Sequence, residues 1–240
     1  MSALDKPSSV ISMKNVGINF TRQGHLFRRR DCFDALKSVS LEVFQGETLG
    51  IIGRNGSGKS TLLQVMSGVL MPDSGSITHR CKSVSLLRLN TGFDYNLTGR
   101  DNAVLSGMIQ GATRNFMESK SDEIKEYSEL GEFYYQPINT YSSGMLSRLG
   151  FSISIMLNPD VLLVDEVLSV GDKEFKAKAE KTMINRMSSG QTVVFVSHSL
   201  EQISRLCDRA VLLNNGKDVA EGLPEEVFQK YHSLTARENA

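Results

Sequence analysis

The sequence predicts an α/β fold built around parallel strands, and three observations predict it. An apolar stretch at Leu49–Ile52 precedes a glycine-rich loop, and helical character begins at Thr61. A second apolar stretch, Val161–Val164, has the composition of a strand that is buried on both faces. Further strands near Val193 and Ala210 alternate with helical segments, as a parallel sheet of βαβ units requires.

Composition narrows the class of protein. The 240 residues suffice for one large domain or two small ones, and a formal net charge of zero gives no basic field for nucleic acid. The cysteines Cys32, Cys81 and Cys207 are odd in number and far apart, which favours neither a disulfide framework nor a zinc site. We expect a cytoplasmic chain, because neither a signal-peptide pattern nor an apolar run approaching the ~20 residues of a spanning helix is present.

The strongest motif is "GRNGSGKST". It fits G-x-x-x-x-G-K-[ST], in which backbone N–H groups converge on phosphate oxygens where no Cβ intervenes. Lys59 would reach the β- and γ-phosphates, and Ser60 would ligate Mg²⁺. The alternative is a glycine-rich turn that happens to precede a helix. The residues predicted to bind nucleotide here are Gly53, Arg54, Asn55, Gly56, Ser57, Gly58, Lys59, Ser60 and Thr61.

Two carboxylates follow the second apolar stretch. Asp165 is predicted at the carboxyl end of the strand, where α/β sheets place their ligand chemistry, and would hold Mg²⁺ through water. Glu166 is predicted to polarise the attacking water as a general base. The alternative is a solvated strand end. Together the two motifs predict a P-loop nucleotide hydrolase.

A third stretch, "YSSGMLSRLGF", resembles the signature sequence of the ABC (ATP-binding cassette) ATPases, with Ser142, Ser143 and Gly144 in its small-residue part. "SVGD", which ends at Asp172, resembles the D-loop of that family. The resemblance, which covers essentially the whole chain, implies ATP and Mg²⁺ as cofactors. It also implies that Ser142, Ser143, Gly144 and Asp172 contact the nucleotide.

Two further matches concern single side chains. His198 follows "VVFVS" as the switch histidine of the family does, which implies a catalytic role at the γ-phosphate beside Lys59 and Glu166. Phe20 falls where the family stacks an aromatic ring on adenine. The alternatives are a core or helix-cap histidine and a core aromatic.

The chain departs from the family in two places. The family has a glutamine in the loop that leads to the helical subdomain, but Leu86–Asn102 contains none. The candidates to replace it are Asn90 and a backbone group. The signature has Ser143 where glycine is usual and Met145 where glutamine is usual, which removes an amide.

With these departures the chain resembles a subfamily, the ATPase subunits of bacterial polysaccharide exporters. Among these it most resembles the O-antigen exporter ATPases. The stretches "NTGFDYNLTGRDN", "TYSSGMLSRLGFS", "DEVLSVGD" and "TRQGHLFRRRDCFDALKSVSLEV" carry that resemblance. It implies an ATP-hydrolysing subunit that energises export of a lipid-linked polysaccharide across the inner membrane. The subunit would lie peripherally at the cytoplasmic face, as a homodimer across ATP bound to two copies of a transmembrane permease.

Alternative functions stay open from the sequence. Capsular polysaccharide or teichoic acid could replace O-antigen as cargo, and the sequence does not identify the polymer. A soluble ABC ATPase without a transport role and a regulatory binder that does not hydrolyse nucleotide are the other two classes. The basic cluster Arg28–Arg30 is either a solvated loop or a contact for anionic lipid headgroups or a pyrophosphate-linked substrate.

The predicted organisation is a single nucleotide-binding domain. Residues 1–89 and 159–240 form a P-loop NTPase core with an N-terminal antiparallel β subdomain, to which "GSITHR" belongs, and residues 90–158 form an inserted helical subdomain. "NNGK" predicts a tight turn, and "PEEVFQKYH" predicts a closing helix with Pro224 in its first turn.

Overall fold

A computed structural model describes residues 8–22, 31–165 and 171–238. The chain forms two compact units. The first takes its described residues from Met1–Leu86, Asp160–Glu166 and Met187–Ala240, and the second from Leu87–Pro159 and Val167–Arg186.

Some predicted features lie outside the described residues. They are the general base Glu166, the basic cluster Arg28–Arg30, and Ser169 and Val170 of the D-loop. The predicted boundaries of the helical subdomain, residues 90–158, stay a prediction.

The elements are numbered in chain order. The strands within the described residues are β1 (Ser9–Arg22), β2 (Asp31–Phe44), β3 (Thr48–Ile52), β4 (Ser74–His79), β5 (Val84–Leu87), β6 (Val161–Asp165), β7 (Thr192–Val196), β8 (Arg209–Asn214) and β9 (Lys217–Gly222). The α-helices there are α1 (Lys59–Met66), α2 (Gly99–Ile109), α3 (Arg114–Ser119), α4 (Ser121–Ser128), α5 (Ser143–Met156), α6 (Lys173–Ser188), α7 (Leu200–Leu206) and α8 (Pro224–Glu238). Short 3-10 helices occupy Gly131–Tyr135 and Ile138–Thr140.

The first unit contains two sheets. Strands β1, β2 and β4 form an antiparallel sheet in the order β2-β1-β4, so the predicted N-terminal β region and "GSITHR" pair with each other. The other sheet has the order β5-β6-β7-β3-β8-β9, in which β3 is parallel to β7 and β8, and β6 is parallel to β7. The predicted α/β fold with a parallel sheet is confirmed.

The parallel sheet explains why separate motifs meet. All five residues of β3 are buried, as are Val161–Val164 of β6 and all five residues of β7. Strands buried on both faces read as continuous apolar runs, which is the pattern that the sequence shows. Because β3, β6 and β7 are parallel, their carboxyl ends lie side by side, and the segments that follow Ile52, Val164 and Val196 begin close to one another.

The second unit is built around helices. The predicted helix in "SDEIKEYSEL" is α4, and Ile124 on it is fully buried. The helix ends before Leu130 because Glu129 adopts a left-handed conformation with φ +55°. Residues of α2, α3, α4 and α5 share one core, which contains Ala103, Met117, Ile124, Tyr134, Leu149 and Ile153.

A cluster of three aromatic rings ties α4, α5 and α6 together within this unit. Phe175 meets Tyr127 edge-on with ring centroids 5.9 Å apart, and it meets Phe151 edge-on at 6.1 Å. Phe175 is 1% exposed. We predict that Phe175→Ala lowers the free energy of unfolding by about 3–5 kcal/mol, because it removes a buried ring and leaves a cavity.

Urea unfolding followed by circular dichroism measures this loss. The matched control is Phe133→Ala in the same unit, since Phe133 is 47% exposed and its truncation removes little buried area. Equal losses for the two variants would contradict the importance of the aromatic cluster.

Candidate functional site

Most of the predicted nucleotide-binding residues of the first unit line one cleft of about 380 Å³, and Gly53, Arg54 and Ser57 are not among its lining residues. The phosphate loop, Asp165 and His198 lie at the carboxyl ends of β3, β6 and β7, and they form one part of the cleft. Two aromatic rings, from β1 and β2, form another part. The lining residues are Phe20, Phe33, Ala35, Asn55, Gly56, Gly58, Lys59, Ser60, Thr61, Asp165 and His198.

Two glycines with left-handed backbone angles shape the phosphate loop. Gly56 has φ +78° and Gly58 has φ +105°, a region that residues with a side chain rarely adopt. Gly58 is the residue before α1, and its carbonyl accepts the Leu62 N–H at 2.8 Å. No side-chain hydrogen bond caps this helix, and such an N-terminus suits an anion such as a phosphate group.

Lys59 places a cation at this end of the cleft. The side chain is on the first residue of α1 and is only 8% exposed. Its Nζ donates to the carbonyl oxygens of Gly53 at 2.7 Å and Arg54 at 2.9 Å. The ammonium is therefore held against the loop that a triphosphate would contact, where a charge-assisted hydrogen bond to phosphate is strong.

Two oxygen-bearing side chains of the cleft fit a magnesium ion. Ser60 begins α1 together with Lys59, and Asp165 is half-buried at the end of β6. Mg²⁺ commonly binds one or two protein oxygens together with substrate phosphates and waters. Clusters of three or more His, Cys, Asp or Glu that could hold a metal are absent from the described ranges. The pair fits a Mg²⁺ that is shared with a bound phosphate.

The other two predicted side chains of this cleft are not in the hydrophobic core. Phe20 is 45% exposed on β1. His198 is exposed after β7, and Ser199 rather than His198 caps α7, because the Ser199 hydroxyl accepts the Gln202 N–H. Their roles at adenine and at the γ-phosphate stay predictions.

Sequence reasoning missed Phe33. It lies directly opposite Phe20 in the β1–β2 pair, lines the same cleft and is 60% exposed. An aromatic side chain just before the buried residues Ala35 and Leu36 was a visible signal in "CFDALK". Its pairing with Phe20 depends on strand register, which the sequence did not specify.

The signature residues belong to the second unit. Ser142 caps α5, since its hydroxyl accepts the Met145 N–H at 3.2 Å, and Ser142 and Ser143 are exposed. Gly144 is close to the chain that precedes α6: an added Cβ would lie 3.9 Å from the Gly171 Cα. Met145 is half-buried against the core of this unit, so it contributes packing where the family has an amide.

Asp172 is held by neighbours in the second unit. Its carboxylate accepts the Phe175 N–H at 3.0 Å and also bonds the Arg148 guanidinium. These two interactions, the backbone N–H first, lower the pKa of the exposed Asp172 carboxyl. Arg148 also approaches Glu129 at 3.8 Å, so this side chain of α5 contacts both the end of α4 and the residue that precedes α6.

The segment that lacks the family's glutamine runs close to α5. Asn90 is exposed in a turn. A Cβ added to Gly150 would collide with the Leu89 carbonyl oxygen, so only glycine allows this approach. The loop before α2 is held by the fully buried Asn102, whose side-chain amide donates to the carbonyls of Asp94, Leu97 and Thr98.

A family described as "ABC transporter" matches residues 36–169. The chain belongs to the ABC transporter family. It is 44% identical over 202 residues to the ABC transporter protein AbcA of Aeromonas salmonicida, which covers 84% of this chain and 66% of that protein. As a member of the family the chain binds ATP.

Other relatives of this ABC chain have names that refer to export. The O-antigen export system ATP-binding protein RfbB of Klebsiella pneumoniae is 42% identical over 84% of this chain and 82% of its own length. The teichoic acids export ATP-binding protein TagH of Enterococcus faecalis is 44% identical over 86% of this chain and 46% of its own length. The chain thus matches just under two thirds of AbcA and less than half of TagH.

Solved structures agree on the fold of this ABC chain. A dimeric structure of the ATP-binding cassette MJ0796 bound to ADP and Pi has a TM-score of 0.71 at 22% identity, over 89% of this chain and 98% of that one. An ATP-binding subunit of an ABC transporter has a TM-score of 0.73 at 20% identity, over 93% of this chain and 94% of that one. Among the described helices, none combines the length and apolar character needed to cross a membrane.

Proposed function

We propose that this chain is the ATP-hydrolysing subunit that energises export of a lipid-linked polysaccharide, O-antigen, across the bacterial inner membrane. The observation that carries this proposal is the 42% identity to the O-antigen export protein RfbB over 82% of that protein. The TagH relatives, at up to 44% identity, support teichoic acid as the alternative cargo, and a capsular polysaccharide is the other alternative.

The chemistry that we assign to the cleft is attack of water on the γ-phosphate. The phosphate loop and Lys59 bind the triphosphate, and Ser60 and Asp165 hold Mg²⁺. Glu166, next to Asp165 in the chain, accepts a proton from the water, and His198 contacts the γ-phosphate. When bound, Mg²⁺ neutralises charge that develops on the phosphate oxygens.

Phe20 stacks on adenine in this proposal. The opposite ring, Phe33, gives the base a second apolar neighbour, because both side chains line the cleft and both are substantially exposed. In this proposal the base therefore lies against the rings that β1 and β2 carry, and the phosphates lie at the N-terminus of α1.

A second copy of the chain completes the site in this proposal. Its Ser142, Ser143 and Gly144 contact the nucleotide of the first copy, and its Asp172 lies beside them at the start of α6. Such an arrangement is isologous and gives two composite sites in a twofold dimer. The exposed serines at the N-terminus of α5 suit an anionic ligand.

The membrane is crossed by a separate protein in this proposal. Two cassettes bind two copies of a transmembrane permease, peripherally at the cytoplasmic face of the inner membrane. ATP closes the cassette dimer and hydrolysis releases it, so that the permease is bound alternately to a closed and to an open dimer.

Deletion of this protein from its host tests the function. We expect polysaccharide to accumulate inside the cell and to disappear from the surface, with surface display restored by the wild-type chain but not by Lys59→Ala. Immunoblotting of intact cells and of cell lysates with an antibody against the surface polymer measures both pools.

Lys230→Ala is the control for complementation, since Lys230 is exposed on α8. Loss of teichoic acid or capsule in place of O-antigen would reassign the cargo. Normal surface display of all three polymers in the deletion strain would contradict export.

A further inference from the structure

The hairpin turn between β8 and β9 lies against the phosphate loop. Asn214 pairs with Lys217, and the two residues between them have positive backbone angles, Asn215 φ +49° and Gly216 φ +79°. These angles define a type I′ turn, the tight turn that "NNGK" predicts. Turn residues are usually exposed, but Gly216 is buried.

Gly216 is buried because its peptide groups bond to two other segments. Its N–H donates to the carbonyl oxygen of Ser57 in the phosphate loop at 3.0 Å. Its own carbonyl accepts the N–H of Lys37 on β2 at 2.7 Å. A single residue of the turn thus joins the phosphate loop to the strand that carries Phe33 and Ala35.

The packing at this junction leaves no room for a side chain. An added Cβ on Gly58 would lie 2.5 Å from the Ala35 carbonyl oxygen, and one on Gly216 would lie 2.8 Å from the same oxygen. An added Cβ on Gly53 would collide with the carbonyl oxygen of Leu213 on β8. Three backbone segments therefore contact one another directly, and a displacement of one displaces the others.

We propose that the β8–β9 turn positions the phosphate loop for nucleotide binding, with Gly216 as the positioning residue. The Gly216 N–H fixes the direction of the Ser57 carbonyl, and because a trans peptide is planar, it also fixes the Gly58 N–H, which points the opposite way. Gly58 lines the cleft, so the turn determines the direction in which the Gly58 N–H points toward the bound phosphates.

The turn also connects the part of the site that binds the phosphates with the part that binds the base. Lys37 is on β2, four residues from Phe33, and the Gly216 carbonyl holds its N–H. The phosphate loop and the strand beside the base are thereby held in one register by a residue that lies outside the cleft lining. Because coupling between two positions is reciprocal, bound nucleotide stabilises the turn as much as the turn stabilises the binding conformation.

The substitution Gly216→Ala in the full chain tests this role, with Gly190→Ala as the matched control. Both glycines have nearly the same left-handed angle, φ +79° and φ +80°, so both substitutions impose the same backbone strain. They differ in surroundings, because an added Cβ on Gly190 has nothing within 4 Å. Only Gly216→Ala therefore pushes on Ala35 and Leu36 of β2, the stretch against which Gly58 of the phosphate loop also packs.

Equilibrium titration with a fluorescent ATP analogue measures the affinity. We expect Gly216→Ala to weaken binding by about tenfold or more, since a misdirected backbone donor loses its charge-assisted bond to phosphate. Gly190→Ala should bind within about twofold of the wild-type affinity. Equal affinities for the two variants would overturn the proposal.

Hydrogen exchange of the wild-type chain gives an answer even if Gly216→Ala does not fold. We expect ADP to slow exchange of the Gly216 amide, although the turn is not part of the cleft lining. An unchanged exchange rate at Gly216, with slowed exchange in the phosphate loop, would overturn the proposal. Both measurements use the isolated chain and nucleotide alone, so their outcome is independent of whether the chain exports a polysaccharide.

Discussion

Glu166→Gln should abolish most ATP turnover while ATP stays bound. Glutamine keeps the size of glutamate and can still hydrogen-bond a water, but its amide does not accept a proton. A positioned general base contributes about 10²–10⁴-fold to such reactions, so we expect the rate of phosphate release to fall by about that factor. The motif order supports the position, because Glu166 follows Asp165, which lines the cleft at the end of β6.

The same substitution should accumulate a dimer. Nucleotide that is bound but not hydrolysed keeps two cassettes together in our proposal, and light scattering after chromatography in Mg²⁺ and ATP measures the mass. The control is Glu201→Gln, since Glu201 is an exposed glutamate in the first turn of α7. Hydrolysis by Glu166→Gln at the wild-type rate would show that the general base is another group.

Lys59→Ala should lose both nucleotide affinity and turnover. Lys59 is 8% exposed, and its ammonium is held by two loop carbonyls at the point where we propose that the triphosphate binds. Removal of one preorganised donor at developing negative charge typically costs about 10²–10³ in rate, and we expect a loss of that size in phosphate release. We expect ATP affinity to fall as well, because the lysine also contacts the ground-state phosphates.

Titration with a fluorescent ATP analogue separates this variant from Glu166→Gln. Lys59→Ala should bind weakly and stay monomeric with ATP, whereas Glu166→Gln should bind normally and dimerise. Lys230→Ala, which removes an exposed lysine of α8, controls for loss of charge, and circular dichroism checks that Lys59→Ala is folded. Wild-type affinity and turnover in Lys59→Ala would contradict the role of this lysine.

Much of the fold and of the candidate site could be predicted from the sequence because the signals are local. The phosphate loop follows β3 and precedes α1 as "TLGIIGRNGSGKST" predicts, and the turn after β8 follows from "NNGK". The neighbourhood of Asp165 and His198 could be predicted as well, since parallel strands deliver their carboxyl ends to one edge.

Other features needed the folded chain. Phe33 becomes part of the cleft through its pairing with Phe20, which depends on the register of β1 and β2. Met145 removes the amide that is usual in the signature, and only the fold shows that it packs against the helical core. Asn102, an ordinary polar residue in the sequence, is fully buried and satisfied by loop carbonyls.

The sequence by itself determined the α/β fold, the family, and the residues that line the cleft from the phosphate loop, the end of β6 and the segment after β7. It could do so because each of these depends on a short motif and on the direction of the strand beside it. Tertiary structure alone decided which distant backbones support that motif. The Gly216 N–H meets the Ser57 carbonyl across more than 150 residues of chain. Such a contact depends on how strands pack, and it is not visible in the sequence because every residue except proline carries the same backbone N–H and C=O groups.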